Sequence, residues 1–462
     1  MAKGALTVEI VGRYCVSPPP NTVPPTSLPL TFFDIPWLFF SPTQPLFFFD
    51  FPFPCSHFLS TALQPLIHSL SLTLQRFFPL AASLMCPRPS STPLIVYKKP
   101  DFVSLLVAQS NADFFHLSSN HQRCVKEFYP LLPPLPSEGE EGIPLLAAQV
   151  TVFSKTGICI GFAYHNVVAD GRTFNSFIKT WASLFKHPSS SSSPLPFYDR
   201  GVIKDCYGLQ SIFLNHWSSS RTSSASQRMV IGVSDSDSVS AMVRATFLMR
   251  PADMEKIKHW IVGRCKAKNM VQPPRLSPYN LTGAFVWVCL MKSHEKVNGK
   301  LTGKNPSYFG FNAGGLTRLG YSIPTTYFGN CIGFARTMAT QSELCGEDGI
   351  IVAANAVGGK VKDLDEAFLD GAENWISDRE MFYGLGSEPH VMVSGSPKLD
   401  LYETDFGWGR ARKIEEISID NAKGNAVSFT ESRDVKGGIE VGLALPKAKM
   451  DAFASFFSQL PH

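Results

Sequence analysis

The sequence lacks several features that would assign it to a particular class of protein. Only 17% of its 462 residues are charged, and 42 basic against 38 acidic side chains leave a net charge of +4. No basic block is present, so nucleic acid is not an expected partner. Neither GxGxxG nor GxxxxGK[ST] occurs, which excludes a glycine-rich phosphate loop. No repeat recurs at a period of about 20 to 50 residues, which excludes a solenoid.

Paired cysteines and a secretory leader are also missing. The ten cysteines are scattered without a CxxC pair, and the first 20 residues lack the charged-then-apolar order of a signal peptide. We therefore expect a cytoplasmic protein with reduced thiols, no disulfides and no bound metal.

No long uninterrupted apolar run is present. The most apolar segment, residues 28–53, is broken by Asp34, by Asp50 and by several prolines. A membrane-spanning helix requires about 20 consecutive apolar residues, so we predict buried strands and turns here instead.

Apolar residues are abundant overall: 44% of the chain is hydrophobic, and 36 residues are phenylalanine. A chain of this length exceeds what one core usually supports, which predicts two domains of about 200 residues each. The low-complexity segment Pro188–Pro196 and the polar segment Ser218–Gln227 indicate a crossover between them. We predict an N-terminal domain over 1–187, a linker over 188–227 and a C-terminal domain over 228–462.

Apolar periodicity predicts helices and strands in both domains, which makes the chain a two-domain α/β protein. In the N-terminal domain we predict a short strand near the start, a helix over Phe58–Phe77, a strand region over Leu94–Val107 and a hairpin over Gln149–Tyr164. In the C-terminal domain we predict strands at Val243–Met249, Ile414–Ile419, Ala426–Glu431 and Ile439–Ala444, and helices from Pro251, over Tyr279–Lys292, over Asp363–Leu385 and around Met450–Phe457.

The segment Gly157–Phe174 holds the most informative pattern in the chain. Large and small residues alternate up to Tyr164, which predicts a strand over 157–164. Apolar residues then recur at helical spacing, which predicts a helix over 172–186. Between them lies the polar turn His-Asn-Val-Val-Ala-Asp-Gly, where the flanking elements would hold reactive side chains in place.

Four ordered motifs identify a family resemblance. The turn resembles the HxxxDG signature of the plant BAHD acyl-CoA-dependent acyltransferases. Tyr327–Cys331 (YFGNC) is similar to the motif of the branch that acylates anthocyanin and phenolic glucosides. Asp405–Gly409 resembles the DFGWG motif, and Phe32–Trp37 resembles the N-terminal FFDIPW segment.

The resemblance implies two similar mixed-sheet α/β domains of the chloramphenicol acetyltransferase type, with a channel between them. It also implies a monomer that uses acyl-CoA as co-substrate and a small glycosylated phenolic acceptor, with no permanently bound cofactor. The channel or substrate-binding positions implied are Gly171, Arg172, Tyr327, Gly329 and Asn330, and the implied structural motif is Asp405, Gly407, Trp408 and Gly409.

The chain departs from the family at the catalytic position. Members of this branch carry His-His at the start of the motif, and the second histidine, four residues before the aspartate, is the base. Counted back from Asp170, that position is Asn166, while His165 lies one place earlier. If the strand continues this far, the two side chains face opposite sides of the sheet, so His165 cannot simply take over the position of Asn166.

The remaining candidates have structural as well as functional interpretations. An aspartate before glycine, such as Asp170, more often fixes a turn than transfers a proton. Arg172 could bind the carboxylate of a malonyl group, although an arginine in this position is more often a surface or phosphate contact. The family pairs the DFGWG aspartate with an arginine, so we expect Asp405 to be held by Arg318 or, alternatively, by Arg410.

Three hypotheses remain open. The first is acyl transfer from acyl-CoA to a hydroxyl of a phenolic or flavonoid glycoside. Its rate would be reduced about 10² to 10⁴-fold because a carboxamide cannot act as a base, and His165 or a water molecule would partly replace the base. The second is a catalytically silent relative that binds ligands or partner enzymes. The third is a lyase-type activity on the same scaffold.

Overall fold

The structure, a computed structural model, describes residues 7–86, 92–136, 142–189, 194–222, 241–299, 305–384, 389–422 and 425–461. Within these ranges the chain forms a mixed α/β fold with three sheets, as predicted from the alternation of strand and helix patterns. The strands, numbered in chain order, are β1 Val8–Val16, β2 Thr26–Pro29, β3 Pro45–Asp50, β4 Ser83–Met85, β5 Leu94–Tyr97, β6 Val103–Ser110, β7 Arg123–Cys124, β8 Ile143–Pro144, β9 Leu146–Phe153, β10 Gly157–Tyr164, β11 Met242–Met249, β12 Pro306–Gly314, β13 Ile332–Thr340, β14 Val391–Ser394, β15 Lys413–Glu416, β16 Ala426–Glu431 and β17 Ile439–Pro446.

Helices cover both large sheets. The longer ones are α1 Leu63–Arg76, α2 Gly171–Lys186, α3 Leu209–Thr222, α4 Pro251–Ala267, α5 Pro278–Asn298, α6 Gly349–Glu366, α7 Trp375–Gly384 and α8 Lys447–Phe457. Shorter helical segments include Cys55–His57, the π-helical turn Phe58–Ala62 that leads into α1, Phe114–Leu117 and Gln341–Cys345. None of the described helices combines the length and apolar character that crossing a bilayer requires.

Each large sheet takes one edge strand from the opposite half of the chain. The first sheet has the order β1-β6-β9-β10-β3-β15, so β15 from the C-terminal half pairs with β3. The second has the order β13-β12-β14-β16-β17-β11-β7, so β7 from the N-terminal half pairs with β11. The third, β2-β5-β4-β8, lies within the N-terminal half. The two halves are therefore joined by backbone hydrogen bonds as well as by side-chain packing.

A buried ionic group lies at this exchange of strands. Arg123 of β7 contacts the carboxylate of Glu415 of β15 at 2.9 Å, and Arg244 of β11 contacts the same carboxylate at 3.2 Å. Arg244 also contacts Asp420 at 2.7 Å. Because all four side chains are almost completely buried, each charge depends on the others for compensation.

The predicted strand and helix around the polar turn are confirmed. The strand β10 pairs with β9 on one side and β3 on the other, and all eight of its residues are buried. Its small residues face a closely packed neighbour: a Cβ added at Gly161 would lie 2.3 Å from the carbonyl oxygen of Leu131. The apolar stripe of α2 packs against α1, and Trp181 donates to the carbonyl of Leu66 at 3.1 Å.

Three of the predicted elements were wrong in extent. Residues 94–107 form two strands of different sheets, because the chain turns at Lys98, whose amide donates to Asp101. The helix predicted from 363 to 385 is two helices, α6 and α7, and between them Gly371 adopts a positive φ of 73°. Strand β15 ends at Glu416, where the chain turns to bring Asp420 against Arg244.

The crossover contains a helix that sequence reasoning missed. Residues 209–222 form α3, whereas the sequence pattern indicates only a polar segment from Ser218 onward. Residues 190–193 and 223–227 of the predicted linker lie outside the described residues.

Candidate active site

The turn between β10 and α2 is held by Asp170. One carboxylate oxygen accepts a hydrogen bond from the backbone N–H of Thr173 at 2.8 Å, which caps the N-terminus of α2. The other accepts from the backbone N–H of Cys331 at 3.2 Å, so the turn is tied to the YFGNC segment. Asp170 is only 3% exposed. Gly171 follows as the first residue of the helix, where an added Cβ would meet Leu399 at 3.2 Å.

Asn166 has both its side-chain and backbone oxygens occupied. The hydroxyl of Thr43 donates to Oδ1 of Asn166 at 2.7 Å, and the side-chain amide of Asn330 donates to its backbone carbonyl at 2.8 Å. Because Oδ1 already accepts from Thr43, the Nδ2 hydrogens are the part of Asn166 that can contact a substrate. The side chain at the position of the family's base is therefore a hydrogen-bond donor.

His165 has a different environment from Asn166. Its backbone N–H donates to Leu145 at 2.9 Å, while its Nδ1 atom is buried with no hydrogen-bond partner among the described residues. Burial lowers the pKa of the imidazole to about 4, so the ring is neutral and weakly basic at neutral pH. The strand ends at Tyr164, one residue earlier, so strict alternation of faces does not extend to this pair.

Asp34 connects the N-terminal motif to the turn. Its Oδ1 accepts from the backbone and side-chain N–H groups of Asn330 at 3.1 and 2.9 Å. Its Oδ2 accepts from the guanidinium of Arg200 at 3.1 Å and from both the amide and hydroxyl of Thr31. Asp34 and Asn330 are fully buried. We call Asp34, Asn166, Asp170, Arg200 and Asn330 the turn cluster.

Sequence reasoning missed Asp34, Arg200 and Thr43. Asp34 interrupts an apolar run and belongs to the FFDIPW motif, but no contact is predicted for it. The available signal is that a carboxylate in an apolar run requires a buried partner. Arg200 lies in the crossover, far along the chain from Asp34, and the sequence around it contains no motif. Nothing in the sequence marks Thr43.

Tyr327 and Gly329 position the guanidinium of Arg200. The hydroxyl of Tyr327 accepts from Arg200 at 3.0 Å, and Arg200 also lies over the tyrosine ring. Gly329 adopts a φ of +136°, and a Cβ there would lie 2.3 Å from the guanidinium. Glycine is thus required by conformation and by space.

Arg172 is engaged by the backbone of the opposite half. Its guanidinium donates to the carbonyls of Thr325 at 2.8 Å and Tyr327 at 2.7 Å, and it lies 3.7 Å from the Asp170 carboxylate. Its side chain is 26% exposed. Cys331, on the adjacent segment, is not a nucleophile at neutral pH, because burial and then Asp170 raise the pKa of its thiol to about 12.

The expectation that an arginine holds Asp405 is wrong. The partner is Lys186, at the C-terminus of α2, whose ammonium lies 2.8 Å from Oδ2. Arg318 pairs with Asp365 and Arg410 with Glu403 instead. The pairing differs because the DFGWG loop lies against α2.

Asp405 also closes the DFGWG loop on itself. Oδ1 accepts the backbone N–H groups of Gly407 at 2.7 Å and Gly409 at 2.9 Å, and both glycines have positive φ. Burial raises the pKa of this carboxyl, but Lys186 and these amides lower it further, so the net direction is downward. Trp408 packs against Phe49 and Phe185, so the loop joins the C-terminal half to the N-terminal sheet and helix.

The structure therefore brings three of the four motifs into one hydrogen-bonded cluster and leaves DFGWG as a separate packing element. No group of three or more His, Cys, Asp or Glu side chains within the described ranges is placed to hold a metal ion. The turn offers a neutral amide and a neutral imidazole at neutral pH. These groups can orient a hydroxyl, while neither is a strong base.

Comparison with known proteins adds independent information. The sequence matches the model of the Transferase family over residues 6–460. It is 38% identical to a malonyl-coenzyme:anthocyanin 5-O-glucoside-6'''-O-malonyltransferase of Salvia splendens, over 98% of this chain and 95% of that protein. It is 35% identical to coumaroyl-CoA:anthocyanidin 3-O-glucoside-6''-O-coumaroyltransferase 1 of Arabidopsis thaliana, over 98% and 97%. The crystal structure of vinorine synthase is similar in fold, with a TM-score of 0.66, 18% identity and 98% coverage of both chains.

Proposed function

Because this chain belongs to the Transferase family of BAHD acyl-CoA-dependent acyltransferases, we propose that it acylates a hydroxyl of a phenolic or flavonoid glycoside. The acyl group, of the malonyl or hydroxycinnamoyl type, comes from acyl-CoA. The names of the relatives support this pairing of substrates, since they are malonyl- and coumaroyltransferases of anthocyanin glucosides.

One observation carries the proposal: the side chain of Asn330 contacts both the carboxylate of Asp34 and the backbone carbonyl of Asn166. These contacts join the FFDIPW, HxxxD and YFGNC segments at the turn where the catalytic position departs from the family. Each member of the turn cluster forms a hydrogen bond with a buried or half-buried residue. The turn is therefore rigid, although Asn166 stands where the family has its base. Rigid positioning of this kind supports catalysis even without a base.

In the proposed reaction the substrate hydroxyl attacks the thioester carbonyl, and the thiol of CoA is released. Asn166 donates from Nδ2 to a substrate oxygen, and its Oδ1 stays bound to Thr43. A water molecule relays the proton of the attacking hydroxyl to the sulfur of CoA, which leaves as the thiol. Asn166 cannot accept this proton, and His165 is only a weak base because burial lowers the pKa of its imidazole to about 4. We therefore expect transfer about 10² to 10⁴-fold slower than with a histidine at position 166.

Arg172 bears on the choice of acyl group. Two backbone carbonyls and Asp170 already surround its guanidinium, so a malonyl carboxylate would have to compete with them. Both acyl types are therefore retained in the proposal. The proposal includes four further predictions. They are a channel between the halves, a domain division at residues 187 and 227, a monomeric state and a cytoplasmic location.

The decisive experiment is a mass-spectrometric screen. The purified chain is incubated with malonyl-, coumaroyl- or acetyl-CoA and a panel of phenolic and flavonoid glucosides, and acylated products are identified. Products that require both substrates support the proposal. Binding of CoA without transfer would support the silent relative instead, and conversion of a glucoside without acyl-CoA would support the lyase-type activity.

A further inference from the structure

A second group of titratable side chains lies apart from the turn cluster. Ser119, His121, His116 and Glu127 are linked in series between the short helix Phe114–Leu117 and the turn that follows β7. The distances are 2.7 Å from Ser119 Oγ to His121 Nδ1, 3.0 Å from His121 Nε2 to His116 Nδ1, and 3.2 Å from His116 Nε2 to Glu127 Oε2. His121 is exposed and His116 is half-buried, so solvent reaches the group.

The outer partners fix the tautomer of each ring. The hydroxyl of Ser119 donates its only hydrogen to the backbone carbonyl of His116 at 2.7 Å, so its oxygen accepts from Nδ1–H of His121. The carboxylate of Glu127 accepts from the backbone N–H of Cys124 at 3.0 Å, and it accepts from Nε2–H of His116. Each neutral ring is therefore protonated on its outer nitrogen.

The two inner nitrogens, His116 Nδ1 and His121 Nε2, consequently face each other with lone pairs at 3.0 Å. Two acceptors at this distance repel each other unless a proton or a metal ion lies between them. Histidine nitrogens bind a metal at about 2.0 to 2.1 Å, so two ligands at adjacent coordination positions lie about 3 Å apart. A carboxylate on the outer N–H is the usual support of a metal-binding histidine.

We propose that His116 and His121 bind a divalent transition-metal ion through these inner nitrogens, with Glu127 and Ser119 orienting the rings. Water fills the remaining coordination positions. Imidazole ligands select Cu²⁺, Ni²⁺ or Zn²⁺ over Mg²⁺ or Ca²⁺.

The test is calorimetric titration of the full chain, free of any purification tag, with Ni²⁺. We expect one saturable site per chain that is lost in His116→Gln and in His121→Gln. Glu127→Gln should weaken binding about 10-fold, since outer partners typically contribute 10- to 100-fold to metal affinity. The matched control is His259→Gln, because His259 is also exposed and its Nδ1 bonds the backbone carbonyl of Glu255.

Thermal unfolding provides a second measurement. Ni²⁺ should raise the midpoint of the wild type and of His259→Gln, and leave that of His121→Gln unchanged. Absence of a stoichiometric site in the wild type would overturn the proposal. Binding that survives in both histidine variants would overturn it as well, since the ions would then be bound elsewhere, for example by cysteines.

Discussion

The hydroxyl of Thr43 donates a hydrogen bond to the side-chain oxygen of Asn166 at 2.7 Å. This contact joins the segment before β3 to the turn after β10, and it leaves only the amide hydrogens of Asn166 free to meet a substrate. A histidine at position 166 could instead donate from Nδ1 to Thr43, which would leave Nε2 as the proton acceptor.

We predict that Asn166→His raises the rate of acyl transfer about 10²-fold or more, because it supplies a general base where the family has one. The assay compares wild type, Asn166→His and His165→Ala with the same acyl-CoA and glucoside. His165→Ala should have little effect on the rate. Rapid transfer by the wild type that is abolished in His165→Ala would identify His165 as the base and contradict the assignment.

The double variant Thr43→Val with Asn166→His tests whether the hydroxyl of Thr43 orients the new histidine. Without the hydroxyl, the imidazole loses its orienting partner, and the gain in rate should fall by about 10-fold or more, as is typical for the loss of an orienting hydrogen bond near a catalytic group. Thr43→Ser keeps the hydroxyl and should retain the gain.

Asp34→Asn should lower the free energy of unfolding by about 3 kcal/mol or more, because it leaves the buried Arg200 without a charged partner. Urea denaturation measures the change. Asp50→Asn is the control: Asp50 pairs with Arg412 at 3.3 Å at a well-exposed position, and exposed pairs contribute about 1 kcal/mol or less. Equal losses in the two variants would show that the turn cluster has no special role.

The contribution of the DFGWG loop to the free energy of unfolding should depend more on its glycines than on the Lys186–Asp405 ion pair. Lys186 and Asp405 are each about a third exposed, so Lys186→Met should cost about 1 kcal/mol or less. Gly407→Ala places a side chain at a φ of +88° and should cost about 1 kcal/mol or more. Unfolding curves that rank the two variants in the opposite order would refute this view of the loop.

His165 should make the protein less stable as the pH falls. Burial lowers the pKa of its imidazole from 6.5 to about 4, so the unfolded chain binds a proton more readily than the folded one in that range. Its contribution is complete above pH 6.5 and is lost as the pH falls toward 4. The difference in stability between the wild type and His165→Gln should therefore change over this range and stay constant above it. A constant difference throughout would mean that the ring is not buried in its neutral form.

Much of the local structure could be predicted from short-range patterns. The alternation up to Tyr164 and the apolar stripe of α2 are set by strand and helix periods of 2 and about 3.6 residues, which a linear sequence displays directly. The prediction that the aspartate before Gly171 fixes a turn also rests on a local pattern, and in the structure its carboxylate caps the helix that follows. The family motifs placed the candidate site at this turn for the same reason: each is a contiguous segment.

Pairings between distant segments were decided only by the tertiary structure. Lys186 replaced the expected arginine beside Asp405, and Arg200 joined Asp34, although 219 and 166 residues separate these pairs in the sequence. The exchange of β7 and β15 between the sheets left no mark in either strand, since one has two residues and the other four. A charged residue within an apolar segment of the sequence indicates that a buried partner is needed. Which residue becomes that partner depends on how the helices and strands pack.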